Sequence, residues 1–384
     1  MSNVSFNRVV DVQVNVADRS ASVANFSIPL ILVGDAGSAG TDLASDLVRT
    51  FSSLEELAQY GFSPISPAYL TAEAMLATNN SPRTFKVGYS NGDTGASLQA
   101  IAQEDSLFYL VVLAGAQTFA SAADLIGAND FLIETGRVAL FDVHDAPLLE
   151  DPNGADSLGL ELQALQPSRL AGFHIDEPAG NVRQHYAAKA AAFISNVNYH
   201  QPNSHYTAKF IQLDGALPAS VGDTAAQNLT GFIPSTGQNV DAGAHLNTYV
   251  CTAGVNYLVE GTMTDGTFID LVTFSDWLKA TLQQNVLNIF TNNRVVPYDV
   301  VGVSMIQSAI IQTMESALLS GAITDNRQDG NGDFLPAYDI SVQDIASVAP
   351  ALQAQRIAPN FEYCVRYTGA MHYVDVRGTI KVAN

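Results

Sequence analysis

Apolar and polar residues alternate near both ends of this 384-residue chain. Such period-2 alternation predicts β-strands with one apolar face. The apolar positions are Val10, Val12, Val14, Val16, Val374, Val376, Ile380 and Val382. Neither strand has a partner close by in sequence, so its backbone groups are free to pair with another chain. We therefore predict that residues 1–25, which include a small and polar hinge at 17–25, and residues 371–384 are arms that exchange strands between subunits.

The middle of the chain alternates short apolar runs with amphipathic stretches, which is typical of strands that alternate with helices. Predicted strands cover 26–34, 85–89, 107–113, 137–143, 170–175 and 208–213. Predicted helices cover 53–59, 67–78, 97–103, 121–135, 156–165 and 182–197. This order predicts an α/β fold with a largely parallel sheet, and we assign it to an outer domain of residues 26–245.

After residue 245 the pattern changes to that of an α+β unit, which we assign to an inner domain of residues 246–370. Strands are predicted at 249–259 and at 267–272, followed by a helix that Ser275 caps and in which Trp277 is a core anchor. A second amphipathic helix ends at Gly321. The chain then continues with a strand at 338–342, a short helix and two long strands, 361–367 and 371–382.

The chain is strongly acidic, with 17 basic and 38 acidic residues and a net charge of −21. Such a charge opposes binding to nucleic acid and to anionic membrane surfaces. Residues 26–245 carry a net charge of −15, whereas residues 354–384 carry +2. One interpretation is local variation, and the other is a less acidic end used for contacts. On the second interpretation, the candidate contacts are Arg356, Arg366, Arg377 and Lys381.

Cysteine content and hydropathy limit the cellular setting. Only Cys251 and Cys364 are present, both in apolar surroundings, and we expect them to be buried free thiols. We find neither a secretory signal nor an apolar run of about 20 residues that could span a bilayer. The sequence therefore favours a protein that stays in cytosol-like conditions or leaves the cell without secretion.

Three further features of the sequence are candidate sites, and each has a simpler structural interpretation. Gly34, Gly37 and Gly40 follow a strand, but their spacing differs from that of a dinucleotide-binding loop, which favours a plain turn. The run from Asp329 to Asp333 lacks the later glycine and glutamate of a calcium loop, which favours a solvated loop. His372 lies in the predicted last strand, where a structural role is expected.

An enzyme hypothesis depends on the ends of two predicted strands. If the strands at 137–143 and 170–175 are neighbours in a parallel sheet, their carboxyl ends bring Asp142, His144, His174 and Asp176 together. Such a cluster would suit a metal ion or acid–base catalysis. Against it, polar residues are common where strands leave a core, and the chain has none of the familiar hydrolase or phosphate-binding motifs.

The order of these features resembles that of the contractile tail sheath proteins of bacteriophages with myovirus-type tails. The segments that carry the resemblance are VRTFSSLEE at 48–56, FKVG at 85–88, FSDWLK at 274–279, RVVPY at 294–298 and GAMHYV at 369–374. The resemblance covers nearly the whole chain, and it depends on the order of these segments more than on any single one.

The resemblance implies a non-enzymatic subunit without cofactors, which stacks in sixfold rings around a tail tube. The arms would add strands to neighbouring subunits, and the unit that holds both termini would face the tube. The outer domain would resemble a subtilisin-type fold without catalytic residues. The implied partners are further copies, the tail tube protein, and baseplate and tail terminator proteins. The subunit would assemble in the host cytoplasm, reside in the virion, and contract to drive the tube into the host envelope.

Two other classes of protein remain as alternatives. One is a cytosolic α/β metal-dependent enzyme that uses Asp142, His144, His174 and Asp176. The other is a different self-assembling structural protein, such as a capsid or tube subunit.

Overall fold

A computed structural model describes residues 26–34, 43–115, 121–154, 156–176, 182–233, 237–238 and 243–377. The predicted arm at 1–25, with its valines Val10, Val12, Val14 and Val16, lies outside the described residues. So do Ile380, Lys381 and Val382. The strands are β1 (Leu30–Val33), β2 (Val48–Phe51), β3 (Phe85–Tyr89), β4 (Leu110–Ala114), β5 (Val138–Val143), β6 (Leu170–His174), β7 (Phe232–Ile233), β8 (Gly237–Gln238), β9 (Asn247–Thr252), β10 (Val255–Val259), β11 (Tyr338–Val342) and β12 (Phe361–Val365).

Most helices lie between these strands. They are α1 (Leu43–Asp46), α2 (Leu54–Tyr60), α3 (Pro67–Leu76), α4 (Thr94–Glu104), α5 (Ala122–Thr135), α6 (Ala146–Glu150), α7 (Leu158–Leu165), α8 (Tyr186–Ser195), α9 (Asp223–Thr230), α10 (Ile269–Asn292), α11 (Val300–Ser320) and α12 (Pro350–Ala354).

Eight strands form one sheet in the order β10-β9-β6-β5-β4-β1-β3-β2. The strands from β9 to β3 in this order run parallel to their neighbours, and only the two edge strands, β2 and β10, are antiparallel. The predicted α/β fold with a largely parallel sheet is therefore confirmed. The sheet takes its last two strands from residues 247–259, beyond the predicted end of the outer domain at residue 245.

Helices cover both faces of this sheet, which explains why its central strands are apolar throughout. In β1, Ile31 and Val33 belong to a first core with α3 and α8, whereas Leu30 and Leu32 belong to a second core with α4 and α5. Every residue of β1, β4 and β5 is buried. The eight-stranded sheet and these helices are called the body below.

The third core lies in the C-terminal part of the chain. It is built from α10, α11 and the inner face of β11 and β12, and Trp277, 6% exposed, is its predicted anchor. Helix α10 joins this core to the body, because Ile269 and Val272 in its first turn pack in the first core. The start of this long helix is therefore one of the places where the C-terminal part is attached to the body.

A buried polar contact reinforces this attachment. The carboxylate of Asp276 on α10 forms an ion pair with the guanidinium of Arg169, which immediately precedes β6. It also accepts a 2.7 Å hydrogen bond from the hydroxyl of Tyr109, next to β4. All three residues are buried. Burial raises the pKa of Asp276, while the cation of Arg169 opposes that change. These three residues are called the junction triad below.

Several predicted strands are corrected by the structure. Residues 208–213 form a loop along the edge strand β10, because Phe210 has φ of 73° and cannot continue an extended strand. Phe210 N still donates to Leu258 O at 2.9 Å, so the loop satisfies the sheet edge. The predicted strand at 249–259 is two strands, β9 and β10, joined by a turn in which Ala253 and Gly254 have positive φ.

The predicted strand at 267–272 is wrong, and so is the predicted helix start at Ser275. A turn lies at Asp265 and Gly266, which precede the predicted strand, and α10 begins at Ile269. Ser275 lies inside the helix, where its hydroxyl donates to Leu271 O at 2.8 Å. Short apolar runs rich in β-branched residues fit a strand or a buried helix equally well, and packing against the body decides for the helix.

The hairpin of α10 and α11 depends on a glycine at a close backbone approach. A Cβ added to Gly302, in the first turn of α11, would lie 1.9 Å from the carbonyl oxygen of Pro297. Gly302→Ala is expected to lower the free energy of unfolding by about 1–3 kcal/mol, because the loop backbone must move. Urea denaturation followed by circular dichroism would measure the loss.

Gly127→Ala in α5 is the matched control for this substitution. A Cβ at Gly127 has no atom within 4 Å, and the position is exposed. This variant is expected to gain roughly 0.5–1 kcal/mol, since alanine favours helix. Equal effects of the two substitutions would contradict the packing argument.

Candidate subunit interface

The C-terminal part carries a small antiparallel sheet of β11 and β12. Its register pairs Tyr338 with Val365 and Val342 with Phe361. Alternate side chains face inward and pack against the third core, among them Ile340 and Tyr363. The opposite face presents Asp339, Ser341, Glu362 and Cys364, all of which are exposed. The sheet is thus covered on one face only.

Both long edges of this sheet lack a partner strand within the described part of the chain. Strand β11 pairs only with β12, and β12 pairs only with β11. A single bridge between Ile323 and Tyr367 lies just beyond the end of β12. Strand edges without partners carry rows of backbone donors and acceptors that can pair with an added strand.

Side chains hold the small sheet in place on its own subunit. The guanidinium of Arg366 lies 2.7 Å from the carboxylate of Asp339 and also donates to the carbonyl of Pro336. The hydroxyl of Tyr338 donates to the carboxylate of Glu315 on α11, and this bond with burial raises the pKa of Tyr338 to about 12. The sheet is therefore a fixed platform on α11.

The chain leaves this platform as an exposed segment. Thr368 is held at the end of α11, where its N–H donates to Ala322 O at 2.9 Å and its hydroxyl to Gly321 O at 2.7 Å. Gly369 follows with φ of 67°, a conformation that favours glycine. Residues 371–377 form no strand, which corrects the prediction for this part of 371–382. The sequence alternation is real, but no strand of the described part of the same chain pairs with this segment.

The predicted apolar face of this segment is open to solvent. Val374 is 75% exposed and Val376 is 83% exposed. These two side chains have the alternation of a strand without the sheet that would bury it.

The arginines that were predicted to contact other chains differ in their exposure and in their bonds within the subunit. Arg366 is engaged within the subunit, as described above. Arg377 is exposed and its guanidinium is paired with the carboxylate of Asp375 at 2.8 Å. Arg356 is exposed just after α12, with φ of 60°.

A second exposed apolar surface lies at the turn between α10 and α11, and we call it the hairpin tip. The hydroxyl of Tyr298 in this turn donates to Ile357 O at 2.8 Å, which brings the segment after α12 alongside it. Apolar residues of the hairpin tip that remain exposed are Val295, Tyr298, Val300, Val301 and Ile357.

The strand-end cluster of the enzyme hypothesis is only partly assembled. Strands β5 and β6 are neighbours as predicted, and the rings of His144 and His174 lie 5.7 Å apart. Asp142, however, accepts the N–H of Ala187 at the start of α8, at 2.9 Å. Asp176 accepts the N–H of Ser220 at 3.0 Å and an amide N–H of Gln184 at 3.1 Å. The carboxylate of Asp142 thus holds the start of α8, and the carboxylate of Asp176 holds the segments around Gln184 and Ser220.

The protonation of this cluster follows from its burial. Burial raises the pKa of Asp142 to about 7 and lowers the pKa of His174 to about 4. His174 Nδ1 accepts the N–H of Asp145 at 3.3 Å, which places the ring proton on Nε2. Among the described residues, no group of three or more histidine, cysteine or acidic side chains is arranged to hold a metal ion.

The remaining sequence patterns are the glycines that follow β1 and the run from Asp329 to Asp333. Gly34 ends the described segment after β1, and Gly37 and Gly40 lie outside the described residues. The carboxylate of Asp329 accepts the N–H groups of Asn331 and Asp333, which closes an exposed loop. Hydrogen bonds from these amides lower the pKa of Asp329.

The prediction that both cysteines are buried is wrong. Cys251 and Cys364 are free thiols, and both are exposed. Cys251 lies near the end of β9, where the strand is exposed, and Cys364 lies on the uncovered face of β12. No helix among the described residues combines the length and apolar character needed to cross a membrane.

An exposed sheet with open edges, joined to an unpaired terminal segment, is typical of a structural subunit that binds other chains. The comparison with known families is more specific. Residues 269–380 match the family described as "E217 tail sheath protein gp31-like, C-terminal domain". This match confirms the predicted resemblance to phage tail sheath proteins and supports a structural role in the virion tail. No curated protein matches the chain.

Proposed function

We propose that this protein is the sheath subunit of a contractile phage tail. Copies assemble in the host cytoplasm as stacked sixfold rings around a tail tube, and baseplate and tail terminator proteins bind the two ends of the sheath. Contraction of the sheath drives the tube through the host envelope. The match of residues 269–380 to a tail sheath domain supports this proposal.

The observation that carries the proposal is the complementarity between the small sheet and the exposed segment of the same chain. Strands β11 and β12 each offer an edge of five residues. Residues 371–377 offer exposed alternating apolar side chains, and 1–25 carry a second alternating run. Full burial of one valine contributes roughly 1.5–3 kcal/mol, and each hydrogen bond about 1 kcal/mol. Strand addition from neighbouring copies would therefore link subunits firmly.

The three hydrophobic cores are the basis on which we divide the subunit into an outer and an inner part. We propose that the body is the outer domain and that α10, α11 and the small sheet form the inner part. Since β9 and β10 complete the body's sheet, the division falls after residue 259 rather than at residue 245. The likeness of the outer domain to a subtilisin-type fold remains a prediction.

The hairpin tip is the surface that we assign to the tail tube. Its exposed valines suit a contact that removes water, and Arg294 and Arg356 lie in the same two segments. These two arginines outnumber the single carboxylate of the tip, Asp299, so the tip has a small positive charge on a protein with a net charge of −21, which suits an acidic partner surface.

We further propose that contraction brings the acidic bodies together while the strand links persist. Residues 26–245 carry a net charge of −15, so close packing of bodies would be opposed by repulsion that salt screens. A threshold for contraction that does not change with salt concentration would argue against this step.

Photo-crosslinking tests the proposed exchange directly. Val376 is replaced by the photoreactive residue p-benzoylphenylalanine, and light and heavy isotope-labelled subunits are mixed before assembly and irradiation. Mass spectrometry is expected to show mixed-isotope crosslinks from residue 376 to 338–342 or 361–365. The same replacement at Ile65, 83% exposed on the body, is the control and should not label these strands. Crosslinks confined to a single copy would contradict strand exchange.

A further inference from the structure

One residue of the exposed terminal segment is bound to its own subunit. His372 Nε2 and Thr207 Oγ1 share a hydrogen bond of 2.8 Å. The same ring meets the ring of Phe268 edge-on, with centroids 4.9 Å apart and planes at 90°, and it lies 6.2 Å from the ring of Phe210. Thr207, Phe210 and Phe268 are called the docking patch below.

The neighbouring residues of the segment make few contacts of this kind. Met371 and Val374, on either side of His372 and Tyr373, are exposed. Tyr373 lies 6.4 Å from Phe232 between ring centroids. Thr368 fixes the segment before Gly369, so His372 is the next point at which a hydrogen bond attaches it to the body.

We propose that His372 is a latch, which holds the C-terminal segment on the docking patch of its own subunit until the subunit assembles. Gly369 is the hinge about which the segment swings when the latch opens. The inference rests on the proposed function, because it assigns regulation to the arm that exchanges between subunits.

The contacts that hold the latched segment are weak enough to break when the subunit assembles. It uses one hydrogen bond and one edge-on aromatic contact, both of which are readily reversible. It leaves Val374 and Val376 in water, whereas addition to a sheet would bury one face of the segment. A subunit can pair its segment with a neighbour only while the latch is open. Its apparent affinity for the neighbour is therefore reduced to the fraction of subunits in which the latch is open.

The ring of His372 is neutral in this position. Burial and the nearby ammonium of Lys209 lower its pKa. Lys209 is itself paired with Glu260, and its ammonium lies 3.9 Å from the ring centroid of Phe232. The contact with Thr207 is thus a neutral hydrogen bond at neutral pH, and it does not depend on an ion pair.

The first test measures the latch in unassembled subunits. Cleavage of the chain after Tyr373 by chymotrypsin is compared between the wild type, His372→Ala and Thr207→Val, at concentrations below those that give assembly. The protease can bind this segment only when His372 has left the docking patch, so both variants are expected to be cleaved about tenfold faster, which corresponds to about 1.4 kcal/mol. His200→Ala removes an exposed histidine that meets Trp277 instead, and should leave the cleavage rate unchanged. Equal cleavage rates in all four proteins would overturn the latch.

The second test asks whether the latch regulates assembly. The concentration at which rings or tubes appear in electron micrographs is expected to fall several-fold for Thr207→Val, because more subunits carry an open segment. Faster cleavage with an unchanged assembly threshold would overturn the regulatory role and leave the proposed function standing. If wild-type subunits form no rings or tubes while cleavage still responds to the substitutions, the proposed function fails and the docked segment remains.

Discussion

Deletion of residues 373–384 is expected to abolish rings and tubes while the subunit stays folded. The described part of the deleted segment makes no strand pairing, and Val374 and Val376 are exposed, so the body and the third core lose little. The melting temperature should change by no more than a few degrees, and size-exclusion chromatography should show discrete subunits. Electron microscopy of the wild type and the truncated protein at equal concentration would measure the loss of assembly.

Deletion of residues 1–16 is the companion experiment for the other arm. The same result is expected, because each subunit would then lose one of its two links. Unfolding of either truncated protein would show that the deleted residues belong to the subunit's own core, which would remove the basis for exchange.

Asp276→Ala is expected to lower the free energy of unfolding by about 3–5 kcal/mol. The substitution leaves the buried guanidinium of Arg169 without its closest carboxylate, and such an unpaired buried charge is costly. It also leaves the buried hydroxyl of Tyr109 without its acceptor. Because the junction triad ties α10 to the body, the third core should separate from the body at a lower urea concentration.

Two further variants make this measurement specific. Asp375→Ala breaks the exposed pair with Arg377 and is expected to change stability by less than about 0.5 kcal/mol. The double variant Arg169→Met with Asp276→Leu replaces the buried pair by apolar side chains and should recover much of the loss. A loss of similar size for Asp276→Ala and Asp375→Ala would contradict the role of the junction triad.

Local signals were sufficient to predict much of the body. Ser53 accepts the N–H of Glu56 at the start of α2, and Gly61 ends that helix with φ of 115°, both as their positions in the sequence indicate. The same holds for Gly321 after α11. Parallel strands that alternate with helices follow from periodicity, since burial on both faces requires continuous apolar runs.

The errors arise where tertiary contacts override local pattern. The positive φ of Phe210 turns an apolar run into a loop, and nothing in the neighbouring residues signals it. Strand β2 is an antiparallel edge strand, exposed at Arg49 and Thr50, and it lacks the continuous hydrophobicity of the parallel strands. Ile269 and Val272 look like part of a strand until their packing against the body is known.

The candidate interface was predictable in kind but not in detail. Alternation at Val374 and Val376 indicates an unpaired strand, because the period is visible without a fold. The partner surface was not visible, since the open edges of β11 and β12 arise from the pairing of segments about twenty residues apart. Cys364 shows the same limit, because its apolar neighbours face the third core while the thiol faces outward.

The position of Phe26 determines where tension in the N-terminal segment would act. Its ring lies 4.2 Å from that of Tyr109, and Phe26 packs against both the first and the third core. A pull on the chain that precedes it would thus load the seam between the sheet and the C-terminal helices, beside a residue of the junction triad. Force received from a neighbouring copy would be shared by the body and the third core rather than absorbed by a surface loop.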